Sequence, residues 1–204
     1  MRRGQPSTHA QFGEANAILI GDALQCLAFG VLANATSVSE QARLTMIELL
    51  ADAAGWRNMV GGQALDIDAA RAVDIAPERL EAMHLAKTGA LLRVSIQMGA
   101  IAAGHSDLQA PIHQDLIRLG GVLGLGFQII DDVLDVTQAT EVLGKPAGSD
   151  EQQGRVTLVS LMGVQKARER ARELLGVSRD TLQSLGLQGS LLDRLAVQMI
   201  DRDF

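Results

Sequence analysis

The sequence predicts an all-α protein, on three observations. Apolar residues recur at helical spacing along most of the chain, and no stretch alternates in the manner of a strand once compared with that pattern. Only four prolines occur in 204 residues, which suits long helices. Helix start signals stand ahead of the apolar runs, at Ser7 or Thr8, at Ser39 and at Pro77. With 47% hydrophobic residues and 21% charged ones, the chain can fill a sizeable core and is not disordered.

The elements follow in order. The chain opens on Arg2 and Arg3, then Gly4 and Pro6, a loop signature. By composition alone this arginine pair is exposed charge. Residues 12–33 form a helix with broad apolar faces. Its small residues, Gly13, Ala15, Ala17, Gly21 and Ala23, permit close helix packing. Asp22 in that run reads as a partnered core acid or a pocket residue, the first being favoured. The apolar stretch 17–33 is interrupted by Asp22 and Gln25, so it reads as a buried helix rather than a membrane span. A second helix starts near Ser39 and runs to Ala54, where Gly55 and Trp56 break it.

Residues 58–70 carry Gly61, Gly62, Asp66 and Asp68; paired glycines in a helix admit the close approach of another helix or a ligand. Pro77 opens a helix that runs to about Ala103. Glu81 and His84 within it have the ExxH spacing of di-iron bundles, but such bundles need two of these motifs. The chain has one, so His84 reads as structural. Residues 104–110 are a loop and 113–136 a long helix. Residues 137–154 are a polar loop with Lys145 between Gly144 and Pro146. Residues 155–185 are a charged outer helix, and 190–201 a final amphipathic one.

Net charge is −6, with no basic block longer than two residues, and aromatics are 2%. Both argue against nucleic-acid binding. Cys26 is the only cysteine; it reads as core packing in a reducing, cytoplasmic compartment. The first eleven residues contain no apolar signal region.

The chemistry concentrates in GFQIIDDVLDV, residues 126–136. Asp131, Asp132 and Asp135 sit among Ile129, Ile130, Val133 and Leu134. On a helix Asp131 and Asp135 share a face, with Asp132 about 100° round. A solvated face would mix Glu with Lys, and a helix cap would not continue into Val133, Leu134 and Val136. Like charges this close call for a cation, and carboxylate oxygens suit Mg²⁺.

Five segments then carry a resemblance: RRGQPSTHAQFGEANAILIGDAL, GGQALDID, KTGALL, GFQIIDDVLD and LGKPAGSD, in this order. The sequence resembles the trans-isoprenyl diphosphate synthases, or polyprenyl synthetases, most closely the bacterial farnesyl diphosphate synthase (geranyltranstransferase) branch, over nearly the whole chain. The resemblance implies a single all-α isoprenoid synthase bundle over residues 1–204, a homodimer, and no membrane insertion. It implies condensation of an allylic diphosphate (dimethylallyl or geranyl) with isopentenyl diphosphate to a short-chain product such as farnesyl diphosphate. By that likeness Asp131, Asp132 and Asp135 hold Mg²⁺. Lys87 and Lys145 contact the allylic diphosphate, and Arg155 stands at a further diphosphate-binding position where relatives usually have Lys. Arg2 contacts the allylic diphosphate and Arg3 that of isopentenyl diphosphate. Thr88 and Gln128 place oxygens near the developing cation.

Leu158 replaces the family's usual Tyr, and the C-terminus lacks the basic ending of relatives. In the family a first aspartate motif immediately precedes the arginine pair; here that position is Met1. The fold is therefore expected to be N-terminally truncated, by a start assigned too late or a true truncation. Residues that set product length lie in that missing third. By itself the 204-residue chain is expected to bind diphosphate weakly and condense little. Two other functions compete. A non-catalytic helical partner of a full-length synthase would not need the retained aspartates and lysines. A class I terpene cyclase is disfavoured by the KTG and LGKPAGSD segments.

Overall fold

A computed structural model describes residues 5–69, 75–137 and 156–202. Among these no strand runs, and ten α-helices with one turn of π-helix account for the architecture. They are α1 (Thr8–Phe12), α2 (Glu14–Ala33), α3 (Glu40–Ala54), α4 (Met59–Ala69), α5 (Pro77–His84), the π turn (Leu85–Gly89), α6 (Ala90–Ala102), α7 (Pro111–Thr137), α8 (Leu158–Met162), α9 (Val164–Ser184) and α10 (Leu191–Ile200).

The longest helix, α7, is the spine. It packs most extensively on α9 and α6, and also on α5, α8, α10 and the π turn. The main core forms on it: Leu119, Leu123, Ile129 and Val133 of α7 meet Leu80 and Met83 of α5, Leu158 of α8, Leu182 of α9 and Ile200 of α10. Leu119, Ile129, Val133, Leu158 and Leu182 are fully buried. Burying each leucine or isoleucine contributes roughly 1.5–3 kcal/mol. Two smaller clusters tie α3 to α6, through Ala42, Met46 and Ile101 and through Ala53, Ala90 and Val94.

The helix ends obey local chemistry. The Ser39 hydroxyl accepts from the Ala42 N–H, Ser190 accepts from Asp193 N–H, and Thr157 and Ser160 form a reciprocal capping box at α8. Pro77 stands at the first turn of α5. Two helices expected to be continuous are broken. Gly13 and Gly163 adopt φ 84° with ψ near 155–160°, a backbone region closed to residues with a Cβ. Each separates a five-residue helix from a long one.

Three expectations for α2 are corrected. It has no buried residue, and Asp22 and Cys26 are both exposed. Ile18, Leu19, Leu24, Leu27 and Val31 are each about 60% exposed. The physical reason is that α2 packs chiefly on α1 and α3, so an apolar helix projects from the body. It is also the one described helix long and apolar enough to cross a membrane by length and composition.

Candidate active site

The site grows from two facing backbones. Lys87 and Thr88 lie on the π turn between α5 and α6. A π turn widens the helix, and such turns occur disproportionately at functional sites. Gln128, Asp131, Asp132 and Asp135 lie on α7. The two backbones nearly touch: a Cβ placed on Gly124 of α7 would stand 2.5 Å from Gly89 Cα. Only glycine permits this approach, which brings the Lys87–Thr88 turn alongside the aspartate helix.

Hydrogen bonds span the gap. The Thr88 hydroxyl donates to Gln128 Oε1 at 3.3 Å. The Gln128 amide then donates from Nε2 to Asp132 Oδ1 at 3.0 Å. One turn of α7 thus relays the threonine to the aspartate, because Gln128 and Asp132 are four residues apart on one face. Beside them is a cavity of about 250 Å³ bordered by Lys87, Thr88, Leu91, Leu92, Phe127 and Met199. Leu92 and Met199 also border a larger apolar cavity of about 650 Å³, running along Ile96, Gly99 and Leu116. A polar end and an apolar extension therefore share a wall.

The three aspartates differ in setting. Asp132 and Asp135 are buried, whereas Asp131 is partly exposed. The three carboxylates are therefore not equally accessible. Their donor chemistry, hard carboxylate oxygens, fits Mg²⁺. Among the described residues no three His, Cys, Asp or Glu side chains converge as a closed metal cage. Mg²⁺ does not need one, since it is bound through one or two carboxylates, waters and substrate phosphates.

Two residues of the site escaped the sequence reading. Asp66 of α4 accepts from Lys87 Nζ at 2.6 Å. It stood in the segment GGQALDID, but nothing in the sequence paired it with a lysine on another element. Arg202, from the C-terminal end expected to lack basic character, lies with its guanidinium 4.7 Å from the centre of the Phe127 ring. Burial lowers its pKa, and Asp131 opposes that shift. The only advance signal was an arginine following the last amphipathic helix.

His84 is buried and its pKa is lowered from 6.5 to about 4. Desolvation is the main cause, with Asp66 raising it and Lys87 lowering it. His84 is therefore neutral at ordinary pH. Arg2, Arg3, Lys145 and Arg155 lie outside the described residues.

This helical bundle, with aspartates on one long helix and a lysine and threonine on the turn packed against it beside an apolar cavity, has the fold of the isoprenyl diphosphate synthases. The polyprenyl synthetase family model matches residues 1–184, and the chain belongs to that family. The farnesyl diphosphate synthase of Escherichia coli (strain K12) is 44% identical, aligned over 100% of this chain and 69% of its own length. A probable farnesyl diphosphate synthase of Bradyrhizobium diazoefficiens is 40% identical over 99% of this chain and 59% of its own. A geranyltransferase from Helicobacter pylori, solved with magnesium and isoprenyl diphosphate, superposes with a TM-score of 0.82 at 32% identity, covering 98% of this chain and 63% of that one. The chain thus spans about 59–69% of these relatives.

Proposed function

We propose that the protein is a short-chain trans-prenyltransferase that joins an allylic diphosphate, dimethylallyl or geranyl, to isopentenyl diphosphate, giving a product such as farnesyl diphosphate. The observation that carries this reading is the Thr88–Gln128–Asp132 relay beside Lys87, bordering an apolar cavity. Kinship with farnesyl diphosphate synthases supports it and does not favour a non-catalytic partner.

Bound Mg²⁺ supplies positive charge that neutralises the diphosphate as it leaves. Asp131, Asp132 and Asp135 are the residues that would hold it. Lys87 binds the diphosphate and stabilises the charge that develops on it as the allylic C–O bond breaks. Thr88 and Gln128 present oxygens toward the resulting cation. The double bond of isopentenyl diphosphate forms the new C–C bond, and the proton lost from that unit goes to the released diphosphate. Leu91, Leu92, Phe127 and Met199 exclude water that would quench the cation. In the same reading Arg2, Arg3, Lys145 and Arg155 bind diphosphate oxygens. The protein acts in the cytoplasm as a homodimer without membrane insertion, and the exposed apolar flank of α2 supports association.

Calorimetry with geranyl diphosphate, followed by incubation with labelled isopentenyl diphosphate, tests the reading. Binding that requires Mg²⁺ and is abolished by a chelator is expected, with label extracted as a C15 diphosphate at low rate. Absence of Mg²⁺-dependent binding by a chain that melts cooperatively would refute it.

A further inference from the structure

Face α4 is built around one lysine. A Cβ on Gly62 would stand 2.5 Å from Lys87 N, 2.8 Å from its Cα and 2.9 Å from its Cβ. The α4 backbone is therefore seated on the backbone of Lys87. One turn further along the same helix face is Asp66, whose Oδ2 receives the Lys87 ammonium at 2.6 Å. The two residues are 21 apart in sequence, so the pairing is made by the tertiary fold. The lysine side chain is 29% exposed and the aspartate 12%. The carboxylate is thus the more enclosed member of the pair, and Lys87 also borders the cavity shared with Thr88 and Phe127.

We infer that Asp66 is a positioning residue for Lys87, holding the ammonium at the cavity before an anionic ligand arrives. This rests on the reading of Lys87 as a diphosphate-binding residue. A lysine has four side-chain torsions and three N–H donors. Left unrestrained, it must be ordered each time it binds, which weakens the complex. Asp66 uses one donor and fixes the chain's direction, leaving two N–H groups for phosphate oxygens. The carboxylate stays in place when the ligand is bound; it does not hand the lysine over. His84, three residues before Lys87, is buried and neutral above about pH 4. It therefore brings no second cation to compete for Asp66 at ordinary pH.

The test is a double-mutant cycle on the 204-residue chain, read by calorimetric binding of inorganic pyrophosphate with Mg²⁺. Asp66→Ala is expected to weaken binding about tenfold, the cost of ordering one long side chain. Lys87→Ala weakens it as well. The double variant is expected to bind within about twofold of Lys87→Ala, because Asp66 acts through the lysine. If Asp66→Ala melts below the assay temperature, Asp66→Ser takes its place, since serine is too short to reach the ammonium. An equal loss from the Asp66 substitution in both backgrounds would assign Asp66 a merely structural role and overturn the inference. So would unchanged or tighter binding by the single Asp66 variant while Lys87→Ala weakens. If Lys87→Ala itself binds like the parent chain, the diphosphate reading of Lys87 fails, and the inference falls with it.

Discussion

Gly124→Ala is the sharpest test of how the site is held together. The added methyl would lie 2.5 Å from Gly89 Cα and 3.2 Å from Gly89 N. Carbon atoms rest at about 3.5–4.0 Å, so α7 and the π turn must separate by roughly 1 Å. Overpacking of this kind costs about 1–3 kcal/mol, and both neighbours here are backbone, which cannot rotate away. Against it stands alanine's helix preference, about 0.8–1.0 kcal/mol over glycine. A net loss of up to about 2 kcal/mol is therefore expected. The displacement would also break the Thr88–Gln128 bond, already 3.3 Å long. Gly99→Ala is the control: it sits inside α6 and a Cβ there meets nothing within 4 Å. It should gain about 0.5–1 kcal/mol. Urea denaturation measures both, and pyrophosphate–Mg²⁺ calorimetry measures the site. A Gly124→Ala chain as stable as the parent, with undiminished binding, would refute the close-approach argument.

Two further outcomes are expected. The pKa of His84 is lower in the folded chain, about 4 against 6.5, so the unfolded chain binds its proton first as pH falls. His84 therefore costs nothing above pH 6.5 and removes stability progressively down to about pH 4, by up to about 3 kcal/mol; urea midpoints across that range should lose this component in His84→Gln. Ser39→Ala removes the side-chain cap of α3 and should destabilise by about 1 kcal/mol, read from the same denaturation curves with binding unchanged.

Much of the helix map was legible because helical periodicity and caps are local. Ser39, Pro77 and Ser190 mark starts within a residue or two of the observed ones. The breaks at Gly13 and Gly163 were not legible. A lone glycine in an apolar helical run looks the same whether it is helical, like Gly124, or at positive φ. The exposure of α2 was missed for a different reason: composition reports that a surface is apolar, not what covers it. At the site, the aspartates announced themselves as carboxylates in an apolar run, and the resemblance supplied Lys87, Thr88 and Gln128. The Asp66–Lys87 pair and the approach of Arg202 to Phe127 and Asp131 depend on which distant elements meet, which no local pattern records.

The π turn at Leu85–Gly89 has a consequence for phasing. An extra residue in one turn rotates everything beyond it by about 100° relative to an uninterrupted α-helix. Leu80 and Met83 face the main core before it; after it Ala90 and Val94 face the α3 cluster, while Ile96 and Ala100 return to the main core. The single rod from Pro77 to Ala102 can thus serve two separate cores, with Lys87 and Thr88 at the changeover. Removing one residue there would make a more regular helix and a worse protein: the two ends could no longer both be in register, and the lysine and threonine would turn with whichever end gave way.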